Sequence, residues 1–208
     1  MKTKMNLILL SLMMMGMMTV NAQNAILGIR AGANIATISA AGNIYDNSNL
    51  KVGSSFSAMV CYSLNKTWGL FGELGFEQKG FRNQESGNSM DTKIVRRFDY
   101  INIPVALRGT CPLNEKVSIY GQLGPYNSFL VNSKYDETRN GESVQSVKTD
   151  PNIKSSDFGW WLGGGVEFPV AGRKFNADLR YSRGIMEADK VNSDLRNKSL
   201  SVSLGFWF

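Results

Sequence analysis

Histidine is absent from this sequence, and cysteine and proline are scarce. The 208 residues include two cysteines, five prolines and no histidine. Without histidine the chain lacks the usual general base of enzymes and the commonest metal-binding side chain, which excludes Ser-His hydrolases and histidine-held metal centres. We therefore predict that the protein is not an enzyme and that it has no catalytic residue, no metal site and no cofactor.

Long apolar runs are missing after Val20. Residues 5–20 form one apolar stretch, lysines precede it, and the small residue Ala22 follows it closely. This order is typical of a secretory signal peptide, and the stretch is shorter than the about 20 residues that a membrane-spanning helix needs. We predict that residues 1–22 are a signal peptide removed on export and that residues 23–208 form one domain.

A basic run beside an aromatic stripe is also lacking. The formal net charge is +6, but the 23 lysines and arginines are spread along the chain. Nucleic-acid-binding proteins concentrate such charge on one face, and an exported chain seldom meets nucleic acid. We therefore exclude nucleic acid as a partner.

Alternation of apolar with small or polar residues runs through the rest of the chain. The sequence has 21 glycines and 11% aromatic residues, and its alternating segments are separated by polar insertions. A period of two is typical of β-strands that have one apolar face. The predicted strands are 26–36, 51–64, 68–80, 98–110, 116–131, 155–170, 173–184 and 197–208.

The connections between these segments alternate between long and short without exception. An outer-membrane barrel has short turns on the periplasmic side, long loops outside and an even number of strands. We therefore predict an all-β fold, an eight-stranded antiparallel up-and-down transmembrane β-barrel with both chain ends in the periplasm. The long connections are 37–50, 81–97, 132–154 and 185–196, and the short ones are 65–67, 111–115 and 171–172.

Each predicted strand has one continuous apolar face and one face of mixed character. The second face combines glycines with charges of both signs, which suits the crowded interior of a narrow eight-stranded barrel. We predict that these charges form a salt-bridge network in the lumen, with a gated proton or ion path as the alternative. The predicted network comprises Arg30, Glu73, Glu77, Arg108, Glu167, Asp178 and Arg180.

A soluble periplasmic barrel of the lipocalin type also alternates, but with its apolar faces inward. That arrangement would place the glycines and serines outside, so we favour the membrane barrel. Aromatic residues at the strand ends fit the girdles that such barrels have at the membrane interfaces. The predicted girdle residues are Trp68, Tyr100, Tyr135, Phe175, Tyr181 and Phe208.

The chain ends on Phe206, Trp207 and Phe208. Termini of soluble domains usually fray into water, whereas a terminal aromatic strand needs a permanent apolar environment. We predict that this last strand closes the barrel against the first strand.

The two cysteines, Cys61 and Cys111, are predicted at similar heights near the periplasmic end of the barrel. One strand lies between their strands, so they are about 10 Å apart, beyond the usual reach of a disulfide. A bridge would require the turn at Cys111 to fold inward, and we favour free thiols.

The sequence resembles the PorT-like outer-membrane beta-barrel family along essentially the whole mature chain. The stretches that carry the resemblance include "FDYINIPVALRG", "DFGWWLGGGVEF", "DLRYSRGI" and "SLSVSLGFWF". The resemblance implies an eight-stranded barrel in the outer membrane, and the family's namesake resembles a component of a protein secretion machine. Similarity to outer-membrane barrels further implies that the barrel-insertion machinery recognises the terminal aromatic strand.

Function is then expected in the loops, because loops carry binding on most scaffolds. Residues 81–97 contain a mild excess of basic side chains that suits acidic lipopolysaccharide. We predict an outer-membrane protein with a structural, surface-interaction or accessory role and no catalysis. Its expected partners are outer-membrane lipid, lipopolysaccharide, the barrel-insertion machinery and a protein bound through the long loops. A narrow pore or a secretion-machine component is the alternative, and a soluble periplasmic lipocalin-like binding barrel is the structural rival.

Overall fold

Strands make up nearly all of the described chain. The computed structural model describes residues 24–39, 48–87, 90–140, 142–147, 154–186 and 196–208, so the predicted signal peptide lies outside the described residues. No helix in these ranges is long and apolar enough to cross a membrane. The strands are β1 (Ala25–Ser39), β2 (Ser48–Ser63), β3 (Trp68–Gly87), β4 (Met90–Pro112), β5 (Ser118–Arg139), β6 (Glu142–Val147), β7 (Ser156–Val170), β8 (Arg173–Gly184) and β9 (Arg196–Trp207).

Eight of these strands form a closed antiparallel ring. The ring runs in the order β1, β2, β3, β4, β5, β7, β8 and β9, and the pairing of β9 with β1 closes it. Every pairing in the ring is antiparallel. β6 is not part of the ring, and β5 pairs directly with β7. The predicted eight-stranded antiparallel up-and-down barrel is therefore confirmed.

The strands extend further at one end of the barrel than the sequence pattern indicates. β3 continues to Gly87 and β4 begins at Met90, so the predicted loop 81–97 is mostly a hairpin. β5 continues to Arg139 and pairs with the additional strand β6, so the predicted loop 132–154 is largely strand as well. Above the membrane the outer face of a sheet meets water instead of lipid, so the apolar and polar alternation that marks a membrane strand disappears. These two loop predictions are wrong for that reason.

The apolar faces point outward and the charged faces point inward. Leu204 is 65% exposed on the outer surface, whereas Arg30 is 6% exposed inside the ring. This orientation is the reverse of a lipocalin, so the soluble lipocalin-like alternative is wrong. Outward apolar side chains occur on all eight ring strands, including Leu27, Phe56, Leu74, Leu107, Leu123, Leu162, Leu179 and Val202.

Two of the predicted girdle aromatics lie elsewhere. Tyr100 is 1% exposed and faces the lumen, because it shares the inward face of β4 with Pro104. In β5 the residue Val131 has no partner in the ladder with β4, and this bulge reverses the inward and outward faces beyond it. Tyr135 therefore lies on the same face as the buried Glu137 rather than on the lipid side. The girdle prediction is wrong at these two tyrosines.

Candidate functional site

The candidate site is the lumen, the space that the eight-stranded ring encloses. A middle cluster of four charges, Arg30, Glu73, Asp178 and Arg180, lies halfway along it. Arg30 Nη1 is 3.2 Å from Asp178 Oδ2, and its Nη2 also pairs with Glu73. Arg180 Nη2 donates to Glu73 Oε2 at 3.1 Å. The cations and anions alternate, which compensates charges that burial would otherwise penalise.

Neutral donors complete the surroundings of Asp178. Tyr120 Oη donates to Asp178 Oδ2 at 3.1 Å, and Ser203 Oγ donates to Oδ1 at 3.0 Å. Asn176 Nδ2 donates to Asp178 Oδ2 at 3.1 Å. Gly205 provides the room for this amide, because a Cβ there would lie 2.3 Å from Asn176 Oδ1. Together with Arg30 on β1, these donors bind Asp178 from β5, from β9 and from its own strand β8.

An inner cluster, Arg108 and Glu167, lies toward the short turns. Arg108 Nη2 is 2.7 Å from Glu167 Oε1. The Arg108 guanidinium carbon lies 3.6 Å from the ring centroid of Tyr120 and 5.7 Å from that of Trp207, within the range of cation–π contacts. These planar groups close the lumen below the middle cluster.

An outer cluster, Glu77, Lys79 and Asp157, lies on the other side of the middle cluster. Lys79 Nζ is 3.5 Å from Glu77 Oε2 and 3.9 Å from Asp157 Oδ2. It also lies 4.9 Å from the ring centroid of Tyr126 and 5.5 Å from that of Tyr100. One cation therefore holds two carboxylates together between two aromatic rings.

Amides and hydroxyls also donate to the two carboxylates of the outer cluster. Asn34 donates to Glu77 Oε1 at 3.1 Å, and Asn102 donates to Glu77 Oε2 at 3.0 Å. Tyr126 Oη and Asn197 Nδ2 donate to Asp157 Oδ2 at 3.1 and 3.0 Å. A carboxylate that accepts several hydrogen bonds keeps its charge at a lower desolvation cost.

The structure places all seven residues of the predicted network inside the ring, but in separate clusters. Lys79 and Asp157 are missing from the predicted set although both are 2% exposed and central to the outer cluster. Lys79 is two residues from Glu77, and Asp157 shares the inward face of β7 with Glu167. Strict application of the period-two rule would have included both.

Little free space remains between the clusters. A cavity of about 30 Å³ lies between the middle and outer clusters, with Arg30, Glu73, Glu77 and Arg180 among its lining residues. By the space that one buried water needs, this volume holds on the order of two waters. Between the clusters the side chains fill the lumen, as expected for a ring of eight strands.

The terminal aromatics divide between the two faces of β9. Trp207 points inward and is 2% exposed beside Arg108. Phe206 points outward, and its ring centroid lies 5.0 Å from that of Phe175 on β8. The backbone N–H of Phe208 donates to the carbonyl of Leu27 at 2.9 Å, so the last residue is joined to β1.

The two cysteines are free thiols, with Cys61 buried and Cys111 exposed. Within the described ranges no group of three or more Cys, Asp or Glu side chains is arranged to hold a metal ion. The lumen clusters are instead made of carboxylates compensated by arginine or lysine.

A second feature is the outward sheet, which we define as the parts of β4, β5 and β6 beyond the apolar belt (residues 91–99, 132–139 and 142–147). Lys134 Nζ is 3.1 Å from Asp136 Oδ1, and Arg139 Nη2 is 2.7 Å from Glu137 Oε1. Hydrogen bonds from Tyr135 and Arg139 lower the pKa of Glu137. Acids and bases are thus paired along β5.

Basic side chains without such partners lie on the outer face of β4. Lys93 and Arg97 have no ion-pair partner among the residues that the structure describes. Both lie on the face opposite the inward-pointing Phe98, and Arg97 is directly opposite Lys134 on β5. The nearby Asp99 accepts hydrogen bonds from the amides of Gln78 and Asn132. The described outward charges of this face are thus balanced, three cations (Lys93, Arg97 and Lys134) against three carboxylates (Asp91, Asp99 and Asp136), but Lys93 and Arg97 are not engaged in ion pairs with described residues. Arg82 also belongs to the predicted basic stretch 81–97, but its side chain is outside the described part of the structure.

A closed antiparallel ring with an apolar outer belt and a charged interior defines an outer-membrane β-barrel protein. Residues 21–190 match the family model described as outer membrane protein beta-barrel domain, and the chain belongs to that family.

Three solved structures are similar to this chain at low sequence identity. Ail of Yersinia pestis, solved in complex with the heparin analogue sucrose octasulfate, shares 20% identity over 89% of this chain and 99% of its own, with a TM-score of 0.45. Neisserial surface protein A shares 16% identity over 88% and 97%, with a TM-score of 0.47. OprG of Pseudomonas aeruginosa shares 14% identity over 88% and 96%, with a TM-score of 0.47. The comparison with curated proteins finds no match.

Proposed function

We propose that this protein is a non-conducting outer-membrane barrel that acts at the cell surface through its outward sheet, in a structural or surface-interaction role and without catalysis. The proposal rests on the contrast between the lumen inside the belt and the outer face of the outward sheet above it. Inside the belt the charges are paired and buried, and above the belt Lys93 and Arg97 are available on the outer face.

The closed lumen argues against passage of solutes. An ion crossing the barrel would have to separate the Arg30 pairs with Glu73 and Asp178 and displace the ring of Trp161, over which the Arg180 guanidinium lies at 3.8 Å from the centroid. Breaking a buried pair by removing one partner costs about 3–5 kcal/mol, which a hydrated ion has no means to offset in so small a space. The absence of histidine from the sequence also supports a role without catalysis.

The outer face of the outward sheet suits an anionic neighbour in the membrane plane. Arg97 points away from the lumen just above the apolar belt, and Lys93 lies on the same face four residues further out along β4. Lipopolysaccharide presents phosphate groups at that level, and guanidinium binds phosphate through paired hydrogen bonds. We infer that lipopolysaccharide is the neighbour bound by this face, and that a protein partner would bind the top of the outward sheet.

Three further inferences complete this proposal. Residues 1–22 are a signal peptide removed on export, and residues 23–208 are the barrel domain of the mature protein. The chain belongs to the PorT-like group within its family, as its sequence stretches suggest. The aromatic terminus of β9, with Phe206 and Phe208 on its outer face, serves as the element that the barrel-insertion machinery recognises, in addition to closing the ring.

The test is binding of lipopolysaccharide by the purified protein in phospholipid nanodiscs. We expect the double variant Lys93→Glu and Arg97→Glu to bind at least tenfold more weakly than the unmodified protein. The double variant Lys66→Glu and Lys116→Glu is the matched control, because it makes the same charge change in two short turns at the opposite end. Equal binding by all three proteins would contradict the proposed lipopolysaccharide contact.

A further inference from the structure

A groove on the outer surface lies toward the end of the barrel that holds the short turns. Its volume is about 280 Å³, and it crosses the outer surface from β8 over β9 to β1 and β2. The outward side chains that line it are almost entirely apolar. They include Ile29, Ala31, Phe56, Phe175, Leu204 and Phe206.

The strand register explains why the belt is indented here. Phe168, Phe175 and Phe206 are directly opposite one another on β7, β8 and β9 and form a row of rings. The next row toward the middle of the membrane contains Ala31 and Ala177, which flank Leu204. Two small residues between bulky neighbours leave a depression, and the aromatic row bounds it on the side of the short turns.

A cation lies just beyond the aromatic row. Arg173 begins β8 two residues before Phe175, so both side chains lie on the outer face of the same strand. Arg173 is exposed and follows the tight turn at Ala171 and Gly172. Lys66, exposed in the turn between β2 and β3, is a second basic side chain at this end of the barrel, whereas the turn between β4 and β5 contains one acid and one base, Glu115 and Lys116.

We propose that this groove binds an anionic phospholipid of the periplasmic leaflet, with one acyl chain over Ala31 and the phosphate on Arg173. The short turns place this end of the barrel in the periplasm, where the leaflet consists of phospholipid. The apolar lining suits an acyl chain, the phenylalanine row lies at the depth where aromatic side chains meet head groups, and Arg173 complements the negative charge. This inference concerns the end of the barrel opposite the proposed lipopolysaccharide face and stands independently of it.

Native mass spectrometry of the full mature chain tests the proposal, with phosphatidylglycerol and phosphatidylethanolamine supplied in equal amounts. We expect one phosphatidylglycerol to be retained at least fivefold over phosphatidylethanolamine. Ala31→Leu fills the groove and should abolish the adduct, and Arg173→Gln should remove the preference for phosphatidylglycerol. Both positions are exposed, and a heat-modifiability gel verifies that each variant is folded.

Gly121→Leu is the matched control for the groove. It adds the same side chain to another outward position, on β5, where a Cβ meets nothing within 4 Å. This variant should retain the lipid as the unmodified protein does. Equal retention of the two lipids, or an adduct that survives both Ala31→Leu and Arg173→Gln, would overturn the proposal.

Discussion

Arg30 on β1 and Asp178 on β8 lie 3.2 Å apart between Nη1 and Oδ2, although 148 residues separate them in the sequence and β9 lies between their strands. The two side chains therefore meet inside the lumen, behind β9. Because Arg30 also pairs with Glu73 on β3, a single side chain joins three parts of the ring from within. The lumen charges thus hold the wall together as well as filling the space.

Glu73 is the anion on which this arrangement most depends, since it lies between Arg30 and Arg180. We predict that Glu73→Ala destabilises the barrel by about 3–5 kcal/mol, because it leaves two buried guanidinium groups with one carboxylate between them. Urea unfolding in phospholipid vesicles measures this difference. Glu115→Ala, in an exposed turn, is the control and should unfold at the same urea concentration as the unmodified protein. A Glu73→Ala barrel of unchanged stability would contradict the prediction.

Gly205 is predicted to be intolerant of a side chain. A Cβ at this position would lie 2.3 Å from Asn176 Oδ1, so Gly205→Ala displaces the amide that donates to Tyr120 and Asp178. We expect a loss of about 1–3 kcal/mol from overpacking. Gly121→Ala, where the new methyl group enters open space, should cost much less. The prediction is contradicted if Gly205→Ala and Gly121→Ala unfold at the same urea concentration.

Trp207 closes the inner end of the lumen beside Arg108. Replacing it with alanine removes a ring that is 2% exposed, and we expect a loss of about 3–5 kcal/mol. Phe208→Ala changes an outward, largely exposed ring and should leave the unfolding midpoint nearly unchanged. If the insertion machinery recognises the terminus, Phe208→Ala should still lower the amount of folded barrel in cells. A stable Trp207→Ala barrel would show that the indole is dispensable for lumen packing.

The two thiols are predicted to react differently. Cys111 is exposed in the folded barrel and should be labelled rapidly by a maleimide, whereas Cys61 is buried and should be labelled only after unfolding in detergent and urea. Intact-mass measurement before and after unfolding counts the labels, and the single variants Cys61→Ser and Cys111→Ser assign each one. Failure of both thiols to react without a reductant would indicate a disulfide and would contradict the structure.

Alternation predicts the ring strands because each of them has lipid on one side and a polar lumen on the other. It does not predict the outward sheet, where the outer face meets water instead of lipid and residues such as Ile94 and Val95 follow one another. The alternation does not predict β6 for the same reason. The turn between β5 and β6 contains Asn140, which adopts a φ of 48°, and asparagine is a residue that tolerates this left-handed conformation.

The sequence pattern does not predict which lumen side chains contact one another. Period two assigns Arg30 and Asp178 to inward faces, but their contact depends on the stagger of β1, β9 and β8 around the ring. Stagger is a property of barrel closure, and no single strand encodes it. The bulge at Val131 shows the same limit locally, since one unpaired residue moved Tyr135 to the other face.

Single-channel recording in planar bilayers tests the central claim, that paired side chains seal the lumen. The purified full-length mature barrel, inserted and verified as folded by its heat-modifiable mobility, should give no stepwise current at 1 M salt. The clusters around Arg30, Lys79 and Arg108 would each have to part to admit an ion. Stable conductance steps from the unmodified protein would contradict the sealed lumen and favour the narrow pore.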